Sequence, residues 1–149
     1  MTVICNYLHE ALASKQDVWS AGAASAEQIA SLEAALHVDL PKSYRSFLTT
    51  VGALSIGDNT ISGIIDGEPL SQSGGSLFGD TCRARQEQRL PGHLLVIQPD
   101  GDAPYCIDAS AHSVGDECPI VCFQPHTLSA KRIADSFEQW YFTFFLGRA

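Results

Sequence analysis

At Gly52 the hydrophobic period of this chain changes, and that change restricts what it can fold into more than any motif does. Before Gly52, apolar residues recur at helical spacing. Ser25 stands three residues before Gln28, the spacing of a capping box, and Ile29, Leu32 and Leu36 then line one face. Leu40-Pro41 ends that helix, because a residue preceding proline is pushed out of the α region, and Pro41 suits the first position of the next one. There Tyr44, Phe47, Leu48 and Val51 share a face, with Gly52 closing the C-terminus, so the two helices form a hairpin around a proline corner. Upstream, Tyr7, Leu8, Ala11 and Leu12 predict a further helix, and Ser20 to Ala24 a linker of small residues.

After Gly52 come short apolar runs punctuated by Gly, Pro, Asp and Asn. Ile61 to Asp66 reads as a strand. Leu94 to Gln98 reads as one covered on both faces, since Leu94-Leu95-Val96-Ile97 is uninterrupted. Pro99-Asp100-Gly101-Asp102 is turn chemistry, which pairs that strand with Pro104 to Asp108 as a hairpin, and Ile120 to Phe123 adds another strand. Gly74 to Gly79 reads as loop or short edge strand and Thr81 to Leu90 as one helical stretch. Helix returns at the end, from Ser136 or as early as Ser129, with Phe137, Trp140, Tyr141, Phe144 and Phe145 as a core stripe. Phe142 and Leu146 fall off that stripe as candidates for contact with a second copy, which leaves monomer and homodimer both open. No repeat or second domain is visible, so residues 1–149 are read as a single domain.

Composition narrows the function classes. With 45% hydrophobic residues the chain is not disordered, and no apolar run approaches a membrane span. A net charge of −8 disfavours nucleic-acid phosphates as partners and favours basic proteins. Five cysteines, an odd number, and no basic segment before Lys15 suit a reducing cytoplasm. His112, Cys118, Cys122 and His126 have the ligand types of a zinc site. An extended Pro119–Phe123, however, holds the two cysteines about 13 Å apart, too far for one tetrahedral ion or a disulfide. Asp100, Asp102 and Asp108 lack the ligand spacing of a calcium loop. Cys82 or Cys106 with His93 or His126 supplies materials for nucleophilic catalysis, but no catalytic motif places them together. Gly74-Gly75 offers backbone N–H groups to an anion or, more commonly, a flexible turn. The reading is a protein that is not an enzyme and needs no cofactor or metal.

The charge map is more informative. Ser46 to Cys82 carries Asp58, Asp66, Glu68 and Asp80; Leu90 to Ala130 carries Asp100, Asp102, Asp108, Asp116 and Glu117. Neither stretch has a Lys or Arg, so nine of the 17 acids and none of the nine bases lie there. Both stretches belong to the strand-and-loop half, which predicts acids on loops around one sheet. Asp58, Asp66, Glu68, Asp80, Asp100, Asp102, Asp116 and Glu117 are accordingly the candidate partner-binding residues.

The ordered segments Ser25 to Leu36, Leu40-Pro-Lys-Ser-Tyr-Arg-Ser-Phe-Leu48, Gly52, Leu94 to Gln98, Tyr105-Cys-Ile-Asp108, Pro119-Ile-Val-Cys-Phe123 and Ser136-Phe-Glu-Gln-Trp-Tyr141 resemble the SUKH superfamily, named partly for the fungal Smi/Knr cell-wall regulators. The resemblance covers roughly residues 25 to 146. It rests most on Leu-Pro-x-x-Tyr-x-x-Phe-Leu and Ser-Phe-x-x-Trp; where the family often carries Asn-Gly-Gly, this chain has Val51-Gly52-Ala53. It implies an α+β fold, a mostly antiparallel sheet of about four to six strands with N-terminal helices and a C-terminal helix packed on it. Bacterial members are typically immunity proteins that neutralise a toxin domain, often a nuclease, and the family brings no catalytic residues. The function implied is a cytoplasmic immunity protein whose acidic surface binds a basic cognate toxin. The alternative, as in the fungal relatives, is a regulatory or scaffolding module with an endogenous partner.

Overall fold

A computed structural model of the protein describes residues 18–111 and 116–145. Within them run β1 (Val18–Ser20), α1 (Ala26–Leu36), α2 (Lys42–Thr50), β2 (Leu54–Ile56), β3 (Asn59–Ile61), α3 (Leu77–Glu87), β4 (Leu94–Gln98), β5 (Tyr105–Asp108), β6 (Ile120–Gln124), β7 (Ser129–Ala134) and α4 (Phe137–Trp140), which runs on into a π-helical turn, Tyr141–Phe145. The helix predicted at Tyr7 to Leu12 lies outside the described residues, as do His112 and Leu146.

The helical hairpin forms as its sequence predicts. Gln28 N–H donates to Ser25 Oγ at 3.1 Å and Ser25 N–H to Gln28 Oε1 at 2.9 Å, a complete capping box. Pro41, extended at φ −68°, stands just before α2 rather than as its first residue, and Gly52 takes φ 81° after it. Tyr44, Phe47 and Leu48 of α2 are fully buried, the first two against Phe137 of α4. The Tyr44 and Phe137 rings meet edge-on with centroids 5.1 Å apart, and Phe47 and Phe137 lie 5.3 Å apart; such pairs add about 0.5–1.5 kcal/mol each beyond their burial.

The strands form two antiparallel sheets, β1-β2-β3 and β4-β5-β6-β7, joined where Ser62 N–H donates to the Ile97 carbonyl at 2.7 Å. The fold is α+β. Leu95, Ile97, Ile107 and Ile120 face the aromatic core shared with α1, α2 and α4, whereas Leu94, Val96, Cys106, Val121 and Phe123 form a second core with Ala84 of α3. This explains the uninterrupted apolar run of β4: helices cover both its faces.

Several local expectations change. β1 and β2 are additional strands, of which β1 takes only Ser20 from the predicted linker Ser20 to Ala24, and the strand expected at Ile61 to Asp66 lies earlier, at Asn59–Ile61. α3 begins at Leu77, four residues before the predicted start, because Ser76 Oγ accepts the Gly79 N–H and caps it. Ser129–Ala134 is a strand paired with β6, so the last helix begins after Ser136. Phe142 is half-buried and packs against the core. Among the described residues no helix is long and apolar enough to cross a membrane.

Candidate partner-binding surface

The eight candidate acids do not share one role. Asp80, expected on a surface loop, lies inside α3 with 2% exposure. Its carboxylate accepts Ser62 Oγ–H at 2.6 Å, Gly75 N–H at 3.0 Å and the Arg83 guanidinium at 2.8 Å. A buried carboxylate is retained only where such donors surround it, so Asp80 is a structural tie, and the backbone of Gly74-Gly75 receives its anion from within the chain.

Asp116 and Glu117 are likewise committed to the fold. Pro41 offers α2 no side-chain cap. Instead Glu117 accepts Ser43 N–H at 3.1 Å and Ser43 Oγ–H at 2.8 Å, while Asp116 accepts Lys42 N–H on its carbonyl at 2.9 Å and the Arg45 guanidinium on its carboxylate at 2.7 Å. The Glu117 carboxylate and the Asp116 carbonyl, from the β5–β6 connection, thus cap α2, and Glu117 brings, from 74 residues away, the negative charge that a helix N-terminus favours. This connection and the β4–β5 turn lie at opposite ends of β5, roughly 10 Å apart for four extended residues, so the acids are not gathered at one edge of the sheet.

The remaining five are exposed on three turns. Asp58 is in the β2–β3 hairpin. Asp66, at φ 56°, and Glu68 flank Gly67, whose carbonyl accepts Gln28 Nε2–H from α1 at 3.1 Å. Asp100 and Asp102 lie in the β4–β5 turn, where Asp100 Oδ1 accepts the N–H groups of Asp102 at 2.7 Å and Ala103 at 3.0 Å, so this carboxylate closes a turn rather than a calcium loop.

The β4–β5 turn is also one wall of a cleft of about 270 Å³ against α3. Pro99 and the edge of Ala84 give it apolar surface over the buried Val96, and Arg83, Glu87 and Asp100 supply its unburied charges. Gln88 Nε2–H donates to the carbonyls of Asp100 at 2.9 Å and Gly101 at 3.0 Å, holding the turn to the end of α3. On the inner side Thr81 Oγ1 accepts the Val96 N–H at 3.0 Å, where the β4–β5 register shifts and the ladder would leave that donor unpaired. Sequence reasoning missed Glu87 and Gln88. Glu87 follows Arg83 by one helical turn, spacing that suggests a mutual pair, but Arg83 turns back to Asp80 and leaves Glu87 with no cation among the described residues.

A second groove, about 370 Å³ between α1 and α2, is lined by Glu33, Lys42 and Arg45; Glu33 accepts the Leu40 N–H at 2.8 Å, and Arg45 reaches Asp116. Three of the cysteines, Cys106, Cys118 and Cys122, are poor nucleophiles. Burial pushes Cys106 strongly upward, with a smaller push from Cys122; burial and then Asp108, Asp116 and Glu117 push Cys118 up to about 12. Cys122 is raised too, chiefly by burial. Among the described residues no hydrogen bond joins Cys82 or Cys106 to His93 or His126.

Compared with known proteins, residues 1–146 match the model of the SUKH_5 family, described as SMI1-KNR4 cell-wall. The fold is similar to a crystal structure of a protein from Pseudomonas syringae pv. tomato, with a TM-score of 0.59, 20% identity and 87% of each chain covered. At that identity the likeness is one of fold.

Proposed function

The chain belongs to the SMI1-KNR4 cell-wall family, and from that membership we propose that it is a cytoplasmic, non-enzymatic immunity protein that binds and neutralises a cognate bacterial toxin domain. The observation that carries the reading is the set of exposed carboxylates with no cation partner among the described residues: Asp58, Asp66, Glu68 and Asp102 on turns and, beside the α3 cleft, Glu87 and Asp100. Unpaired charge of one sign on rigid turns speeds encounter with an oppositely charged protein and rejects acidic ones. Toxin nucleases are basic around their phosphate site, and such a domain fits this sign. The family is not known for enzymes, and the raised thiols support a binding role rather than covalent catalysis.

The test is co-expression with a toxin encoded beside this chain. The toxin alone should arrest growth; this chain should restore it and co-elute with the toxin as one complex. Arrest that persists with both proteins made at equal levels overturns the proposal, and capture of an endogenous host protein in its place would make the chain a regulatory module.

A further inference from the structure

We propose that the cleft between α3 and the β4–β5 turn receives a single arginine or lysine side chain of the partner protein. The inference rests on the binding role proposed above and names the place and chemistry of engagement. At about 270 Å³ the cleft is sized for one long side chain and is too small for a helix or strand. Pro99, with the edge of Ala84, matches a methylene stem, which basic residues lay along apolar surface while the charged head stays polar. Glu87 and Asp100 provide that head with two carboxylates. Asp100 uses Oδ1 to close its turn and keeps Oδ2 open; Glu87 has no partner among the described residues.

The sign of the occupant follows from what else lines the cleft. Arg83 is the one cation among the described lining residues, and it is already held by Asp80 and by the Gln72 carbonyl at 3.1 Å. Asp80 and Arg83 cancel, so the cleft keeps the two negative charges of Glu87 and Asp100. An acidic side chain would face uncompensated repulsion, and a neutral one would leave both carboxylates without a cation. The groove between α1 and α2 has no such excess of carboxylates, since Lys42 and Arg45 line it beside Glu33. The cleft walls are held before binding, because Gln88 ties the turn to α3 and Thr81 ties α3 to β4, so little ordering is required when the side chain enters.

The test uses the full chain, ¹⁵N-labelled, titrated at low ionic strength with N-acetyl-Ala-Arg-Ala-amide and with the same peptide carrying citrulline, the neutral isostere of arginine. The arginine peptide should shift the backbone amides of Ala84, Glu87 and Gly101 and the side-chain amide of Gln88, and the shifts should fade at high salt. Glu87→Gln and Asp100→Asn should each weaken binding about fivefold. Both are suited to leave the fold intact: the Glu87 side chain makes no contact to lose among the described residues, and the amide oxygen introduced by Asp100→Asn can still accept the two turn N–H groups. Equal shifts from the citrulline peptide, or arginine shifts centred on Asp58, Asp66 and Glu68, overturn the proposal. If a cognate toxin binds the doubly substituted chain as tightly as the original, the cleft inference fails while the binding function stands; absence of any complex with the original chain overturns the function itself.

Discussion

Asp80 joins three parts of the chain at one carboxylate: the residue after β3 through Ser62, the loop before α3 through Gly75, and α3 itself through Arg83. Every partner is a donor. Asp80→Asn places an amide among donors and strips Arg83 of its counter-charge, and should lower stability by about 2–3 kcal/mol, read as a lower urea midpoint. Asp102→Asn, at an exposed side chain without such partners, should stay within about 0.5 kcal/mol. Cys118 makes a prediction of opposite chemistry. Its folded thiol holds its proton up to about 12 against an ordinary 9.0, whereas the unfolded chain releases it earlier. Stability is therefore intact below pH 9.0 and falls as pH rises toward about 12, by up to about 1.4 kcal/mol per pH unit for this thiol. Urea midpoints across that window should decline less steeply in Cys118→Ala.

At the scale of elements, the joint between the helical hairpin and the first sheet depends on backbones with no side chain between them. Gly22 N–H donates to the Val51 carbonyl at 2.9 Å, and Ile64 N–H to that of Gly52 at 3.0 Å. A Cβ on Gly63 would fall on the Gly52 carbonyl, and one on Gly52 on the Gly22 carbonyl. Backbone cannot yield as a flexible side chain does, so Gly63→Ala should cost about 3 kcal/mol or more, or abolish folding, in thermal or urea denaturation. Gly92→Ala, with open space at its Cβ, should be neutral or slightly stabilising. The π-helical turn at the C-terminus follows a similar packing logic. It buries Tyr141 and Phe145 beside Trp140, with the Trp140 and Phe145 rings 5.7 Å apart, while Phe144, a member of the predicted α-helical stripe, is only half-buried. Periodicity revealed the aromatic content of that stripe but assumed the wrong winding.

Across the whole molecule, charge sorts by what each carboxylate touches. Asp80, Asp116 and Glu117 are bound within the fold, and the exposed turns retain the rest of the candidate set. Reversing two of the free acids, Asp58→Lys with Asp102→Lys, should slow association with a basic partner about tenfold at low ionic strength, leave dissociation nearly unchanged and lose its effect at high salt, as stopped-flow mixing would show. Reversing Asp116 and Glu117 should instead destabilise the chain, because α2 loses its cap. An equal kinetic effect from the committed acids, with stability unchanged, would contradict this division.

The helical hairpin, the β4–β5 turn, the strand covered on both faces and the aromatic closing segment were all legible from the sequence, because each depends on interactions within a few residues: a capping box, a proline corner, an Asx turn, an apolar run. The sequence also located the base-free acidic stretches. Which acids remain available was decided only by tertiary structure, since Glu117 meets Ser43 across 74 positions and Asp80 meets Ser62 across 18. Charge counted along a chain cannot distinguish a carboxylate that caps a distant helix from one facing water; only the fold that brings the donor to it makes that difference, here turning an acidic stretch into a few free carboxylates and one charged cleft.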